Sequence, residues 1–135
     1  MSAATGVVLP AIEGWVASPG AAGPVLRSVH GTIAVAWHHV PDPPIDSRAV
    51  AARLAAGVQA RTPAAAVEFR NRGLMGGREV AIQVVAAGDD VQLHAVRGDG
   101  SAGEPLIVTV ATCGRCDVDA VGAALARVIA EARVR

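Results

Sequence analysis

The sequence contains no lysine and no tyrosine, and its only aromatic residues are Trp15, Trp37 and Phe69. Its hydrophobic fraction of 52% therefore comes mainly from alanine, valine and other small side chains. Buried apolar area contributes about 25 cal/mol per Å², so small side chains stabilise a fold only when they pack closely over a large area. We expect each aromatic side chain to anchor a layer of such a core.

The chain also lacks a net charge, since its 12 basic residues, all arginine, are balanced by 12 acidic residues. No block of one sign occurs along the sequence. Binding to nucleic acids or to anionic membranes depends on clustered basic charge. The composition therefore predicts a protein that has neither nucleic acid nor a membrane surface as its partner.

No hydrophobic run approaches the roughly 18 residues that a membrane-spanning helix requires, so we expect no membrane insertion. Residues 1–6 lack the basic and apolar regions of a secretory signal. The expectation is a cytoplasmic protein with two reduced cysteines, unless the chain is a fragment of a longer exported protein. Its 135 residues suit a single domain, residues 1–135.

The clearest structural pattern lies near the C-terminal end of the chain. Residues 106–112 are apolar at both sets of alternating positions, which is typical of a central strand. A helix follows, with Asp117 as its predicted N-cap and with Arg133 and Arg135 at its C-terminal end. Its apolar residues recur at steps of three and four, which places them on one face. The members of this stripe are Val118, Val121, Leu125, Val128 and Ala132, joined by Gly122 and Ile129.

The rest of the chain combines strand patterns with one further helix. Predicted strands cover residues 7–9, 25–30, 32–40, 65–70, 78–87, 91–97 and 105–112. The first helix is capped by Asp46 or Ser47 and ends before Pro63, and residues 73–77 are predicted to be a flexible loop. Because the last three strands are separated by short connections, they are predicted to form an antiparallel meander. The expected fold is α+β, with an antiparallel β-sheet packed against two α-helices on one side.

Several short motifs, taken together, resemble those of a known family. They are Pro10 with Gly14 and Trp15, the strand over residues 32–40 running into a proline-rich turn, residues 51–56 in the first helix, residues 77–80 opening the meander, and a strand ending in Cys113 before the last helix. This pattern is similar to the PsbP-like domains of actinobacterial type VII secretion-associated proteins and LpqN-like lipoproteins. The resemblance implies a PsbP-like fold and a non-enzymatic accessory or binding module.

The most distinctive chemical motif is the Cys113–Cys116 pair, which lies between the predicted central strand and the last helix. A helix N-terminus and the neighbouring Arg115 both favour the thiolate form of Cys113, as thiol–disulfide chemistry requires. The two cysteines also supply half of a tetrahedral zinc site. His94 is the best placed of the four histidines to join them, because its strand should neighbour the one that ends at Cys113. We expect no cofactor, with zinc as the alternative, and a metal-binding or thiol-redox protein as the alternative function.

Residues 37–39 are a second candidate site, for contact with a partner. Strand alternation places Trp37 and His39 on one face and His38 on the other. A tryptophan on an apolar strand face is more often part of the core, but a large aromatic flanked by imidazoles also has the composition of a contact hot spot. We therefore expect Trp37, His38 and His39, together with the loop over residues 73–77, to mediate self-association or docking to a larger protein.

No combination of nucleophile, base and orienting group can be assigned from the sequence, so we do not expect an enzyme. The leading hypothesis is a non-enzymatic binding or assembly module whose partner is another protein or a second copy of the chain. The family resemblance gives this hypothesis its more specific form, an accessory of type VII secretion.

Overall fold

The computed structural model describes residues 6–39, 46–75, 78–98 and 105–134. Within these ranges the predicted sequence of strands, helix, four strands and helix is present, with additional short strands. The elements are β1 (Val7–Val8), β2 (Val16–Pro19), β3 (Pro24–Arg27), β4 (Gly31–His39), α1 (Ser47–Arg61), β5 (Ala66–Met75), β6 (Arg78–Ala87), β7 (Asp90–Arg97), β8 (Pro105–Gly114), a 3-10 turn (Arg115–Asp117), α2 (Val118–Glu131) and β9 (Arg133–Val134). The short strands β2 and β9 were not predicted, because neither carries a sustained apolar pattern.

Most strands belong to one seven-stranded antiparallel sheet, with the order β2-β3-β4-β8-β7-β6-β5. β8 lies in the middle of this order, which confirms its prediction as a central strand. The meander of β6, β7 and β8 is also confirmed. Its first turn contains Gly88, whose φ of 62° is a left-handed conformation that glycine adopts without steric cost. β1 and β9 form a separate pair, in which Val7 lies opposite Val134.

Strand β5 is longer than the sequence predicted. The expected strand ended at Arg70, and residues 73–77 were expected to form a loop, but β5 continues through Gly73 to Met75. Residues 76 and 77 lie outside the described part of the structure. Glycine has a low strand propensity, yet pairing with β6 overrides it here, because Gly73 lies opposite Val80 in a continuous ladder.

The two helices lie on opposite faces of the sheet. Along β8, Ile107 packs with α2, whereas its neighbours Leu106 and Val108 pack with α1. Because successive side chains of a strand point to opposite faces, the helices must lie on different sides. The expectation that both helices cover one side is therefore wrong. The physical reason is that β6, β7 and β8 bury side chains on both faces, so each face requires its own cover.

The N-terminal ends of the helices are stabilised differently. Asp46, one of the two predicted caps, caps α1, since its carboxylate accepts a hydrogen bond from the Ala49 N–H at 2.8 Å. Asp117 occupies the corresponding position before α2 but makes no capping bond. Its φ and ψ of −101° and 3° are not the extended conformation that a capping side chain needs. Its carboxylate lies instead 2.9 Å from Nδ1 of His30.

The C-terminal end of α2 is stabilised by an arginine from the sheet. Arg97, on β7, is 5% exposed and donates hydrogen bonds to the carbonyl oxygens of Ile129 at 2.8 Å and Ala132 at 2.6 Å. A cation here satisfies carbonyls that the helix leaves without partners and opposes the negative end of its dipole. The sequence predicted this role for Arg133 and Arg135, but Arg133 belongs to β9 and Arg135 lies outside the described residues.

The aromatic residues are divided between core and surface. Trp15 and Trp37 are partly buried and pack against the main core, as expected. Phe69 is 51% exposed, so the expectation that it anchors a core layer is wrong. It lies on β5, an edge strand that is mostly exposed along its length.

Leu125 tests the docking of α2. It is 3% exposed, and Leu125→Asp places an unpaired charge between α2 and the sheet. We expect this variant to lose more than about 4 kcal/mol of its free energy of unfolding, measured by urea denaturation, or not to fold at all. Ala126→Asp, on the exposed side of the same helix, is the matched control and should lose less than about 1 kcal/mol, mainly from the lower helix propensity of aspartate. A Leu125→Asp protein as stable as this control would show that α2 is not docked.

Candidate functional site

The structure separates the three residues that the sequence grouped as a zinc site. Cys113 is buried in the core beneath α2, and Cys116 is exposed in the 3-10 turn; both are free thiols. Cys113 lies opposite Val91, and His94 follows Val91 by three positions on β7, so its side chain points to the other face of the sheet. His94 therefore does not approach the cysteines. Among the described residues, no cluster of three or more His, Cys, Asp or Glu side chains is suited to a metal ion.

The environment of Cys113 also differs from that of an activated thiol. Burial raises the pKa of this thiol, and the nearby Asp117 and Cys116 raise it further. Arg115, which we expected to favour the thiolate, donates instead to both carboxylate oxygens of Glu68 at 2.9 and 3.0 Å and to the Gly88 carbonyl. Its positive charge is therefore directed toward β5 and not toward the thiol, because the sheet brings Glu68 within reach.

The residues expected to form a contact hot spot do not share one surface. Trp37 packs against the core under α2, and His38 is exposed on the opposite face. The side chain of His39 lies outside the described part of the structure. Gly73, in the predicted loop, belongs to β5, four strands away from β4, which corresponds to roughly 19 Å at the usual spacing of strands. Self-association or docking through this set of residues stays a prediction.

A pocket of about 760 Å³ lies between the first turns of α1 and the edge strand β5. We call it the arginine pocket, because Arg48, Arg70 and Arg72 are its basic lining residues. Small side chains on α1 and β6 leave the space that forms it. They are Ala49, Ala51, Ala52 and Ala81.

The arginine pocket carries an excess of positive charge. Its lining includes one acidic residue, Asp46, whose carboxylate is used to cap α1. Nη1 of Arg72 lies 3.8 Å from Oε1 of Glu79, a separation that gives a weak, solvent-screened ion pair. Arg48 has no hydrogen bond or ion pair with a described residue. The pocket is therefore suited to an anionic group.

A chain of buried polar groups extends from this pocket beneath α1. Arg70 Nε donates to Gln83 Oε1 at 3.3 Å, and Gln83 Nε2 donates to the Ala51 carbonyl at 2.6 Å. The same amide nitrogen lies 2.9 Å from His94 Nδ1, and His94 Nε2 lies 2.8 Å from Gln92 Oε1. Since an amide nitrogen only donates, Nδ1 must accept and Nε2 must carry the proton. The chain therefore requires neutral His94, and burial lowers the pKa of His94 to about 4.

The outer side of β5 presents backbone groups that the sheet does not use. The Arg72 N–H donates to the Asn71 side chain at 2.8 Å, so this N–H points away from β6. Glu79, opposite Leu74, directs its carbonyl toward Gly98, on the β7 side. In an antiparallel ladder the N–H and C=O of one residue point to the same side and alternate along the strand. Arg70, Arg72 and Leu74 therefore direct their backbone groups outward.

Sequence reasoning did not find this site. Its residues come from α1, β5 and β6, which are distant in sequence, and β5 was predicted to end at Arg70. The sequence does contain one pattern that indicates a longer strand. Arg70 and Arg72 alternate with Phe69 and Asn71, which places the charged side chains on one face of a strand. The glycine at position 73 and the polar residues before it favoured a loop instead.

No protein-family model matches the chain, and no curated protein matches it. Among solved structures, the chain is similar to cyanobacterial PsbP (CyanoP) from Synechocystis sp. PCC 6803, with a TM-score of 0.68 and 14% sequence identity over 96% of this chain and 87% of that chain. The fold is therefore PsbP-like, as the sequence resemblance implied. At this level of identity the similarity concerns the fold alone. None of the described helices is long and apolar enough to cross a membrane.

His94 should make the stability of the protein depend on pH. Its pKa is about 4 in the folded protein, against 6.5 for an unperturbed histidine, so the unfolded chain binds the proton more readily between these values. The contribution of neutral His94 is complete above pH 6.5 and is lost as the pH falls toward 4. We expect this loss to be about 1 to 3 kcal/mol, measured by urea denaturation at pH 7 and pH 4.5.

A His94→Gln variant keeps a polar side chain but cannot titrate, so the loss attributed to His94 should be absent. His38→Ala, at an exposed histidine, is the control and should retain the parent's pH dependence. If His94→Gln loses as much stability as the parent between the two pH values, His94 is not the titrating group.

The two cysteines should differ in reactivity and in structural importance. Cys116 is exposed, so it should react rapidly with Ellman's reagent at pH 7.5, whereas burial and a raised pKa should make Cys113 slow. Cys116→Ser should leave stability almost unchanged, and Cys113→Ser should cost about 1 to 2 kcal/mol because it buries a hydroxyl group. Two equally fast thiols, or unfolding by a chelator, would contradict this assignment.

Proposed function

We propose that this protein is a non-enzymatic binding module that holds an extended segment of a partner protein along the outer edge of β5. The observation that carries the proposal is the set of backbone groups on Arg70, Arg72 and Leu74 that point away from the sheet. Such groups form hydrogen bonds with an added strand, which is a common mode of peptide recognition. The strand is ten residues long, enough for a stable ladder.

The side chains of β5 support the same use of this edge. Leu74 is 78% exposed and Phe69 is 51% exposed, so the strand offers apolar contact area on both of its faces. A bulge between Val67 and Phe69 interrupts the ladder with β6. Bulges prevent indiscriminate pairing at sheet edges, so the docking region is the regular part, from Arg70 to Met75.

A second copy of the chain is a poorer occupant of this edge than another protein. Hydrogen-bonded antiparallel pairing of two β5 strands aligns outward-pointing residues with one another. The registers that align most of the regular part place Arg70 opposite Arg70 or Arg72 of the second copy, or Arg72 opposite itself. Like charges directly opposite in a ladder are destabilising. The arginines therefore disfavour self-pairing, and the proposal specifies a different protein as the partner.

The biological form of the proposal is an accessory role in type VII secretion, with the protein in the cytoplasm. Its support is the resemblance of short sequence motifs to secretion-associated PsbP-like domains, together with the PsbP-like fold. A zinc function is less well supported, because His94 and Cys113 lie on opposite faces of the sheet. A thiol-redox function is less well supported because burial raises the pKa of Cys113.

A proline substitution tests strand addition. Leu74→Pro removes an outward-pointing N–H, and proline is tolerated on an edge strand, so the ladder with β6 should persist. Leu74→Ala removes the same side chain but keeps the N–H, which makes it the matched control. Peptides selected from a display library of ten-residue random sequences should bind Leu74→Pro at least about tenfold more weakly than Leu74→Ala, by fluorescence anisotropy.

Amide hydrogen exchange of the parent with a selected peptide should show added protection at Arg70 and Leu74, and a smaller change at Arg72, whose N–H already donates to the Asn71 side chain. Circular dichroism and thermal melting establish that Leu74→Pro is folded. Equal binding to both folded variants, or a library that yields no binding peptide, would overturn the proposed function.

A further inference from the structure

We infer that the segment held by β5 has acidic side chains at alternate positions, and that these enter the arginine pocket. This inference rests on the proposed function, because it specifies the chemistry of the partner that adds to β5. It is carried by the position of the arginine pocket, which lies directly beside the edge where the added strand would run.

Strand alternation determines which side chains of the partner meet the arginines. Arg70 and Arg72 lie opposite Gln83 and Ala81 of β6, which face α1, so both arginines project from the α1 side of β5. Side chains that lie opposite one another on neighbouring antiparallel strands have Cβ atoms about 4.5 to 5.5 Å apart. The two residues of an added strand that lie opposite Arg70 and Arg72, two positions apart, would therefore be direct neighbours of the arginine pocket.

The charges around this position favour carboxylates. Arg70 and Arg72 approach from β5, and Arg48 approaches from α1 on the other side of the pocket. The positive end of the α1 dipole lies at the same place, since Asp46 and Ala49 also line the pocket. Carboxylates accept paired hydrogen bonds from guanidinium groups, which makes them better ligands here than neutral amides or hydroxyls.

Arg70 is held in position before any ligand arrives. Its Nε is bonded to Gln83, whose side chain is fully buried and is itself bonded to α1 and to His94. The two Nη groups of Arg70 have no hydrogen-bond partner among the described residues. Because the side chain is already ordered, binding a carboxylate through these groups loses less conformational entropy than binding through a mobile arginine.

The opposite face of β5 has different chemistry. Phe69 and Asn71 project from this face, and Phe69 is half exposed there. The residues of the added strand that alternate with the acidic ones would lie on this face, where Phe69, next to the docking region, is the large exposed side chain, and they are therefore expected to be apolar. The partner segment is thus an extended sequence in which acidic and apolar residues alternate.

Synthetic peptides of defined pattern test this inference. The probes are fluorescein-labelled octapeptides with four repeats of Glu-Val, Ser-Val or Lys-Val, and binding is measured by fluorescence anisotropy at low salt and at 0.5 M salt. We expect the Glu-Val peptide to bind about tenfold more tightly than the Ser-Val peptide and the Lys-Val peptide to bind most weakly. Added salt should reduce the preference for the Glu-Val peptide.

Matched variants connect this preference to the pocket. Arg48→Gln combined with Arg72→Gln should lower the affinity for the Glu-Val peptide to that for the Ser-Val peptide. Arg53→Gln, at an exposed position of α1 outside the pocket, is the control and should leave the preference intact. Leu74→Pro should weaken binding of both peptides.

The outcomes distinguish this inference from the proposed function. If Glu-Val and Ser-Val bind equally and Leu74→Pro weakens both, strand addition stands and the acidic preference is overturned. If Glu-Val binds tightly but Leu74→Pro has no effect, the acidic segment does not add to β5, and the inference fails. If no peptide of either pattern binds, both the inference and the proposed function are overturned.

Discussion

The fold depends on β8 being apolar on both of its faces. Ile107 and Ala111 are buried on one side, and Leu106 and Val108 on the other, so neither face of this strand can be left in water. A strand with this requirement must lie inside a sheet and must be covered above and below. The central position of β8 and the placement of one helix on each face both follow from this constraint. The edges of the sheet are left to strands with polar or mixed sequences.

The abundance of alanine shapes the surface as well as the core. Alanine lets α1 approach the sheet closely, as Ala51 and Ala55 do, but it does not fill the space at the margin of the helix. The arginine pocket lies at that margin. Beneath the same helix, Gln83 and His94 form a fully bonded polar chain, so polar groups are buried there without leaving donors or acceptors unsatisfied. The pocket therefore has a rigid polar floor and an open outer wall.

The cysteine pair shows why a motif in sequence is not yet a site. Two cysteines separated by two residues and placed before a helix suit both redox chemistry and zinc binding, and the sequence places them there. In the structure Cys113 is in the core, its pKa is raised, and Arg115 is bonded to Glu68. These relations depend on which strands become neighbours and which faces they share. Spacing along the chain does not contain that information.

The sequence by itself determined the order of the main elements, the central strand, a cap of the first helix at Asp46 or Ser47, and the PsbP-like fold class, because these depend on local periodicity, turn residues and short motifs. It did not determine the faces on which the helices pack, the length of β5 or the position of Arg97 at the end of α2. Only the tertiary structure decided those features, and with them the candidate site. Arg48, Arg70 and Gln83 converge because a helix crosses two strands, and such convergence is a property of packing in three dimensions, for which separation along the chain carries no signal.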